Sequence, residues 1–212
     1  MKRWKMGRRA VPCATMLLAW GWLGAGVVAG PHAHTMPNEL SASAYTPDSL
    51  YQLTSTWTTA AGQRLQLGEL RGTVRVVVMH YTSCEYACPI LINLVKRIEA
   101  GLPQAVRHRV GFVGITFDPE RDTLPVLQAY QAKMHLDSPL WTLLRGQSDD
   151  TLELAVLLGI KYRQNAQGEF SHTNLITVLN QAGEIVHRQT GLHQNVADTI
   201  SVIHQVALDA SR

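Results

Sequence analysis

The chain has 212 residues, 46% of them hydrophobic, with 19 Lys/Arg against 16 Asp/Glu and a formal charge of +3. Five of the basic residues, Lys2, Arg3, Lys5, Arg8 and Arg9, lie in a leader (residues 1 to 29) that holds no acid, so the remainder carries −2 and its basic side chains are scattered singly. This excludes a basic patch for nucleic acid, and the remaining length supports one core rather than two.

The basic start followed by uncharged residues from Ala10 to Ala29 has the layout of a secretory signal. Val27-Val28-Ala29 satisfies a small-residue cleavage site, while the 20 apolar positions are also long enough to stay as a membrane anchor. The chain is therefore expected to be exported, to the periplasm or the outer face of the inner membrane, with cleavage and membrane anchoring both open. Arg8-Arg9 is followed by Ala10-Val11-Pro12 rather than by the residues a twin-arginine signal needs. Residues 30 to 48, rich in Pro, His, Ser, Ala and Thr without periodicity, read as a tether, and 49 to 212 as a single domain.

From Leu50 onward, strand and helix patterns alternate. Period-2 segments over Tyr51 to Trp57 and Arg64 to Leu67, joined at Ala61-Gly62, predict a β-hairpin. Val74 to Met79 is a continuous β-branched run suited to a strand covered on both faces, and Ile90, Leu91, Leu94, Val95 and Ile98 follow at helical spacing. Val110 to Phe117 predicts a strand, Leu124 to Met134 a helix, Leu140 to Leu144 a strand, and Thr151 to Leu158 a helix stopped by Gly159. Asn165-Ala166-Gln167-Gly168 reads as a turn, after which Phe170-Ser171-His172 enters a buried strand. Leu175 to Leu179 and Glu184 to Gln189 are strands joined by Asn180-Gln181-Ala182-Gly183, and Val196 to Ala210 is a closing helix. The expected architecture is α/β, a thioredoxin-like fold with a central mixed β-sheet flanked by helices and an N-terminal β-hairpin.

Outside the leader the only cysteines are Cys84 and Cys88, in Tyr81-Thr82-Ser83-Cys84-Glu85-Tyr86-Ala87-Cys88-Pro89 between a predicted strand and a predicted helix. Unpaired N–H groups and the positive end of the helix dipole favour thiolate there. In an oxidising compartment such a pair is a disulfide, a metal site or a redox couple, and a bridge over three residues closes too small a loop to stabilise much. The plain alternative is a pair of buried structural cysteines. At i, i+4 on a helical turn the Cβ atoms fall about 5 to 6 Å apart. A metal bridges that distance more readily than a disulfide, which needs about 3.8 Å. Pro89 is expected to keep Cys88 out of helical geometry, at the mouth of the helix.

Three motifs in order resemble the Sco (SenC-type) family. They are Cys84-x-x-x-Cys88-Pro89 after a hydrophobic strand, Asp118-Pro119-Glu120-Arg121-Asp122-Thr123 after the next, and His172 ahead of Leu175-Ile176-Thr177-Val178-Leu179. The resemblance implies an exported, thioredoxin-fold copper metallochaperone that assists assembly of the CuA site of cytochrome c oxidase. It implies Cys84, Cys88 and His172 as copper ligands and the copper-accepting oxidase subunit as partner, with a copper donor or a thioredoxin-like reductant as further partners. Two thiolates and one imidazole suit three-coordinate Cu(I) and tolerate Cu(II), whereas zinc would take a fourth ligand. Without the resemblance, a single histidine beside a strand reads as a surface or hydrogen-bonded residue. Many members carry a proline after the first cysteine and an Asp before the histidine. Here Glu85 and Ser171 stand in those places, so a carboxylate that orients the imidazole is expected to be missing.

His80 reads as an auxiliary ligand, as a cation that lowers the thiol pKa, or, with more weight, as a residue standing just behind the ligands or a simply solvated one. Asp118 and Asp122 lie near the site by the same resemblance; alternatively Asp122 or Thr123 caps the following helix. Met79 and Met134 read as core filler. His32, His34 and Met36 put two imidazoles and a thioether into the tether, a candidate for copper pickup. The alternative function is a thiol-disulfide oxidoreductase that keeps target cysteines reduced through Cys84 and Cys88, although dedicated reductants use the shorter Cys-x-x-Cys spacing. A peroxiredoxin is set aside because Val78 and Tyr81 replace the Pro and Thr of its lead-in.

Overall fold

A computed structural model describes residues 45–166 and 168–209. The signal or anchor expected over 1 to 29, and His32, His34 and Met36 of the expected tether, lie outside the described residues. Among those described, no helix is long and apolar enough to cross a membrane.

The expected N-terminal hairpin is present as β1, Thr56–Thr59, and β2, Arg64–Gln66, with Trp57 opposite Leu65 and a turn that places Gly62 at φ +83°. Its first strand is shorter than predicted, because Leu50–Gln52 forms a turn of 3-10 helix instead. The Ser49 hydroxyl accepts the Tyr51 N–H at 3.1 Å, and this local bond overrides the apolar alternation. Tyr45 and Thr46, at the end of the stretch read as tether, already touch the domain. Tyr45 lies under the Arg71 guanidinium at 5.4 Å, and the Thr46 hydroxyl donates to Glu184.

Along the chain follow β3 (Val74–His80), α1 (Ala87–Gly101), the short α2 (Gln104–Arg107), β4 (Val110–Thr116), α3 (Leu124–Lys133), β5 (Trp141–Arg145) and α4 (Ser148–Leu158). Then come β6 (Tyr162–Gln164), β7 (Phe170–His172), β8 (Leu175–Leu179), β9 (Ile185–Thr190) and α5 (Ala197–Asp209). The main sheet has seven strands in the order β2-β1-β5-β4-β3-β8-β9. The ladders β3 to β4 and β4 to β5 are parallel, and the others are antiparallel, which makes the sheet mixed as expected.

Val74, Val76 and Val78 pack with Phe112, with Leu91 and Val95 of α1, and with Ile203 of α5 on one face. Val77 and Met79 pack with Val113, Ile115 and with Leu154 and Leu158 of α4 on the other. A strand covered on both sides has no room for polar residues at alternate positions, which is why β3 and β4 are continuous apolar runs. Each fully buried Val, Leu or Ile contributes about 1.5 to 3 kcal/mol, so these two strands anchor the fold and fix where their C-terminal ends point.

Two local expectations are corrected. Cys88 is not held outside the helix: α1 starts at Ala87, so Cys88 and Pro89 lie in its first turn. The missing N–H of Pro89 falls among the donors that have no intrahelical acceptor anyway, so proline is tolerated there. Phe170-Ser171-His172 does not enter the main sheet either. As β7 it pairs only with β6, Tyr162 opposite His172, in a separate two-stranded hairpin whose turn holds Gly168 at φ +81°.

Candidate metal centre

The loops that leave β3 and β4 at their C-terminal ends meet the β6–β7 hairpin around an open cleft. In the first loop the Cys84 N–H donates to the Tyr81 carbonyl at 3.3 Å, and the Cys88 N–H donates to Cys84 Sγ at 3.2 Å. Cys84 therefore satisfies one of the orphan donors at the start of α1, as a capping serine would. Both thiols are free; Cys84 is half-buried and Cys88 fully buried.

His172 comes from the hairpin. Its Nε2 lies 3.7 Å from Cys88 Sγ, and its Nδ1 is 3.3 Å from the Thr173 carbonyl. A carbonyl can only accept, so Nδ1 carries the proton and Nε2 presents its lone pair to the sulfurs. The backbone thus does the orienting that a carboxylate at position 171 was expected to do. Ser171 is exposed, and the two-residue period of a strand turns its side chain away from the side shared by Phe170 and His172. The ligand atoms of Cys84, Cys88 and His172 all lie within 4.8 Å of one another, a group of donors that could hold one metal ion.

Asp122 is buried and does not cap α3; Thr123, at the cap position, makes no side-chain cap bond either. Instead Asp122 accepts the Thr82 N–H at 3.1 Å, the Thr82 hydroxyl and the Thr116 hydroxyl. It ties the cysteine loop to the end of β4. Asp118 pairs with Arg121, and its N–H donates to the Thr116 hydroxyl at 3.0 Å. Both aspartates thus act on the framework around the donors.

His80 corrects its expectation more sharply. It is fully buried, lies flat on Tyr130 at 5.0 Å and 9°, and stands outside the three-donor group, although the charge of His172 reaches it. Neither ring nitrogen has a hydrogen-bond partner, and burial holds its pKa down to about 4. It is neutral at physiological pH, neither solvated nor a cation that would activate a thiol. Met79 is buried in the core and Met134 packs against it, as expected of filler.

The two thiols are electrostatically unequal. Burial pushes Cys84 up, but donors from the backbone of Cys88 and Tyr86 and from the Tyr81 hydroxyl outweigh it and hold Cys84 below the ordinary thiol value. Burial drives Cys88 well above that value, and the neighbouring Cys84 adds to the rise. Burial also lowers His172, although its bond to the Thr173 carbonyl opposes the change. The resting site therefore offers a thiolate-prone sulfur facing the cleft, a protonated sulfur behind it, and a neutral imidazole.

The sequence reading overlooked the aromatic wall that seats the hairpin. Phe117 stacks on Tyr162 at 5.1 Å and meets Phe170 and His172 at 5.0 Å each, while Tyr81 meets Phe170 at 5.2 Å. A signal was available: Tyr81 and Phe117 each sit one residue past the end of a parallel strand, and Phe170 stands two before His172. Residues at those places share one end of the sheet.

The SCO1/SenC family profile matches residues 45–208 of the chain. A curated relative from Stutzerimonas stutzeri, named as a candidate copper-binding protein, is 24% identical over 120 residues, which is 55% of this chain and 57% of the relative. The chain thus spans less than two thirds of that relative's length. A SCO1/SenC family lipoprotein from Bacillus anthracis superposes with a TM-score of 0.64 at 22% identity, over 72% of this chain and 92% of its own. ScoI of Arabidopsis thaliana, solved with copper bound, gives 0.58 at 20% identity, over 74% and 96%. At such identities the structural likeness establishes the thioredoxin-like fold, while the profile carries the family. Since it covers nearly every described residue, and the cysteine, aspartate and histidine motifs fall inside it in order, the chain belongs to the SCO1/SenC family.

Proposed function

We propose that the protein is an exported copper metallochaperone that binds copper through Cys84, Cys88 and His172 and supplies it to the CuA site of cytochrome c oxidase. The observation that carries this reading is the convergence of two sulfurs and one imidazole Nε2 within 4.8 Å. Two soft thiolates and a borderline imidazole fit Cu(I) in three-coordination, and no fourth His, Cys, Asp or Glu joins the group among the described residues. Binding expels the Cys88 proton, and the half-buried Cys84 is the sulfur an incoming acceptor thiol meets first. Transfer is then a stepwise exchange in which each acceptor sulfur replaces one supplied by this chain. The copper-bound state of the Arabidopsis relative and the name of the Stutzerimonas relative support the cargo. The basic and apolar leader supports work in the periplasm or on the outer face of the inner membrane.

The inequality of the thiols favours a second reading, thiol-disulfide exchange that keeps target cysteines reduced. In that reaction Cys84 thiolate attacks a target disulfide, Cys88 loses its proton and attacks the mixed disulfide, and the target leaves as a dithiol while Cys84 and Cys88 become the disulfide. The raised pKa of Cys88 makes the second attack slow at neutral pH, and this ranks copper transfer first. Cu(I) titration of the reduced domain against a competing chelator separates the two. One equivalent bound tightly by the native protein, and weakened in Cys84→Ala, Cys88→Ala and His172→Ala alike, supports the chaperone. Native affinity in His172→Ala together with robust disulfide reduction overturns it.

A further inference from the structure

The β6–β7 hairpin that carries His172 belongs to no ladder of the seven-stranded sheet, so apart from its short links to α4 and β8 its position is set by side chains. Besides the aromatic wall, one polar side chain reaches it from the loop after β4. Arg121 donates through Nε to Asp118 and through a terminal nitrogen to the Gly168 carbonyl in the hairpin turn, and its guanidinium lies 5.7 Å from the centre of the Phe170 ring. The Gly168 carbonyl also accepts from Gln164 at 3.2 Å, but that bond stays within the hairpin. Gly168 approaches so closely that a Cβ there would stand 2.9 Å from a nitrogen of Arg121.

Arg121 is the end of a continuous polar chain. Thr82, two residues before Cys84, bonds to Asp122; Asp122 bonds to Thr116; the Thr116 hydroxyl receives the Asp118 N–H; and Asp118 pairs with Arg121. One end holds the cysteine loop and the other holds the histidine hairpin. A planar guanidinium can serve Asp118, Gly168 and the Phe170 face together, whereas an ammonium has a single point of charge.

We infer that Arg121 is the positioning residue that makes His172 a ligand, by clasping the hairpin so that Nε2 faces the two sulfurs. Its copper arm rests on the reading of His172 as a ligand; its metal-free arm does not. The Arg121 side chain is 45% exposed, so its removal opens no core cavity; it does leave the buried Asp118 without its cation, which Arg121→Lys retains.

The metal-free test is amide hydrogen exchange. In Arg121→Ala the amides of Ser171 and Thr173, which face β6 (Thr173 N–H donates to the Lys161 carbonyl at 2.9 Å), exchange at least about tenfold faster than in the native protein, with β3 and β4 unchanged. Arg121→Lys keeps the charge beside Asp118 and restores only part of the protection. Unchanged exchange in β7 overturns the clasp, as does exchange that rises equally across the sheet, which would mean general destabilisation. The second arm uses Cu(I) alone as the probe. Arg121→Ala weakens binding by about tenfold, and Arg121→Ala/His172→Ala is no weaker than His172→Ala, because both substitutions remove the same ligand. Additive losses overturn the clasp, whereas failure of the native protein to bind copper overturns the function proposed above and leaves the exchange result to decide the clasp.

Discussion

The backbone N–H of Cys88 donates to the sulfur of Cys84, so the first cysteine of the pair caps the helix that carries the second. A donor set and a helix start are therefore the same piece of structure, and Cys84 has two roles that substitution can separate. In metal-free protein Cys84→Ala removes the cap and lowers stability by about 0.5 to 1 kcal/mol, while Cys84→Ser keeps an acceptor and stays near the native value. Both lose the soft donor and both weaken Cu(I). Urea unfolding beside Cu(I) titration measures the two effects, and equal destabilisation by Ser and Ala would show that the sulfur caps nothing.

The unequal thiols should be distinguishable by reagent. Cys84 is half-buried with a depressed pKa, and Cys88 is fully buried with a raised one. Iodoacetamide at pH 7 is expected to modify Cys84 about tenfold or more faster than Cys88 in reduced, metal-free protein, followed by peptide mass mapping. Faster labelling of Cys88 would contradict both its burial and its place behind Cys84.

Much of this arrangement could be read from the chain alone, and the exceptions share a cause. The runs in β3 and β4 were legible because burial on both faces leaves no polar residue to confuse the pattern. Cys84 and Cys88 were legible because a strand end followed by a helix start defines where the thiols stand, whereas His172 was legible as a ligand only through the resemblance to the Sco family. What escaped depends on partners far along the chain. His80 is a polar residue at a strand end and reads as solvated until Tyr130 of α3 covers it. Cys88 precedes a proline and reads as non-helical until Cys84 Sγ and the core fix it. Phe170-Ser171-His172 is too short for its period to say which sheet it joins, and contacts from far along the chain, such as the wall of Tyr81 and Phe117, decide that.

Asp122 should matter more to stability than its place in a loop suggests. Asp122→Ala leaves the buried Thr116 hydroxyl and both Thr82 donors without their carboxylate, a loss of about 2 kcal/mol with some relief from water at half-buried Thr82. Asp122→Asn retains one acceptor and falls between. Because Thr82 leads into Cys84, Cu(I) affinity declines along with stability. Thermal unfolding of the metal-free variants gives the first number, and a native melting temperature for Asp122→Ala would remove Asp122 from the framework.

His80 predicts how stability depends on pH. Its folded pKa is held to about 4 by burial, below the value near 6.5 of an exposed histidine. Between those values the unfolded chain binds a proton that the folded chain refuses, so the unfolding free energy rises with pH, and the stability present above about 6.5 is lost as pH falls toward 4. The full shift corresponds to about 3 kcal/mol. His172, also depressed by burial, adds to the same slope. His80→Phe keeps a ring against Tyr130 without a group to protonate, and should flatten the larger part of the slope between pH 6.5 and 4. His172→Ala removes the other share. Chemical denaturation of metal-free protein across that range measures the slopes, and a pH dependence in His80→Phe identical to the native one would mean that the buried imidazole keeps its ordinary pKa.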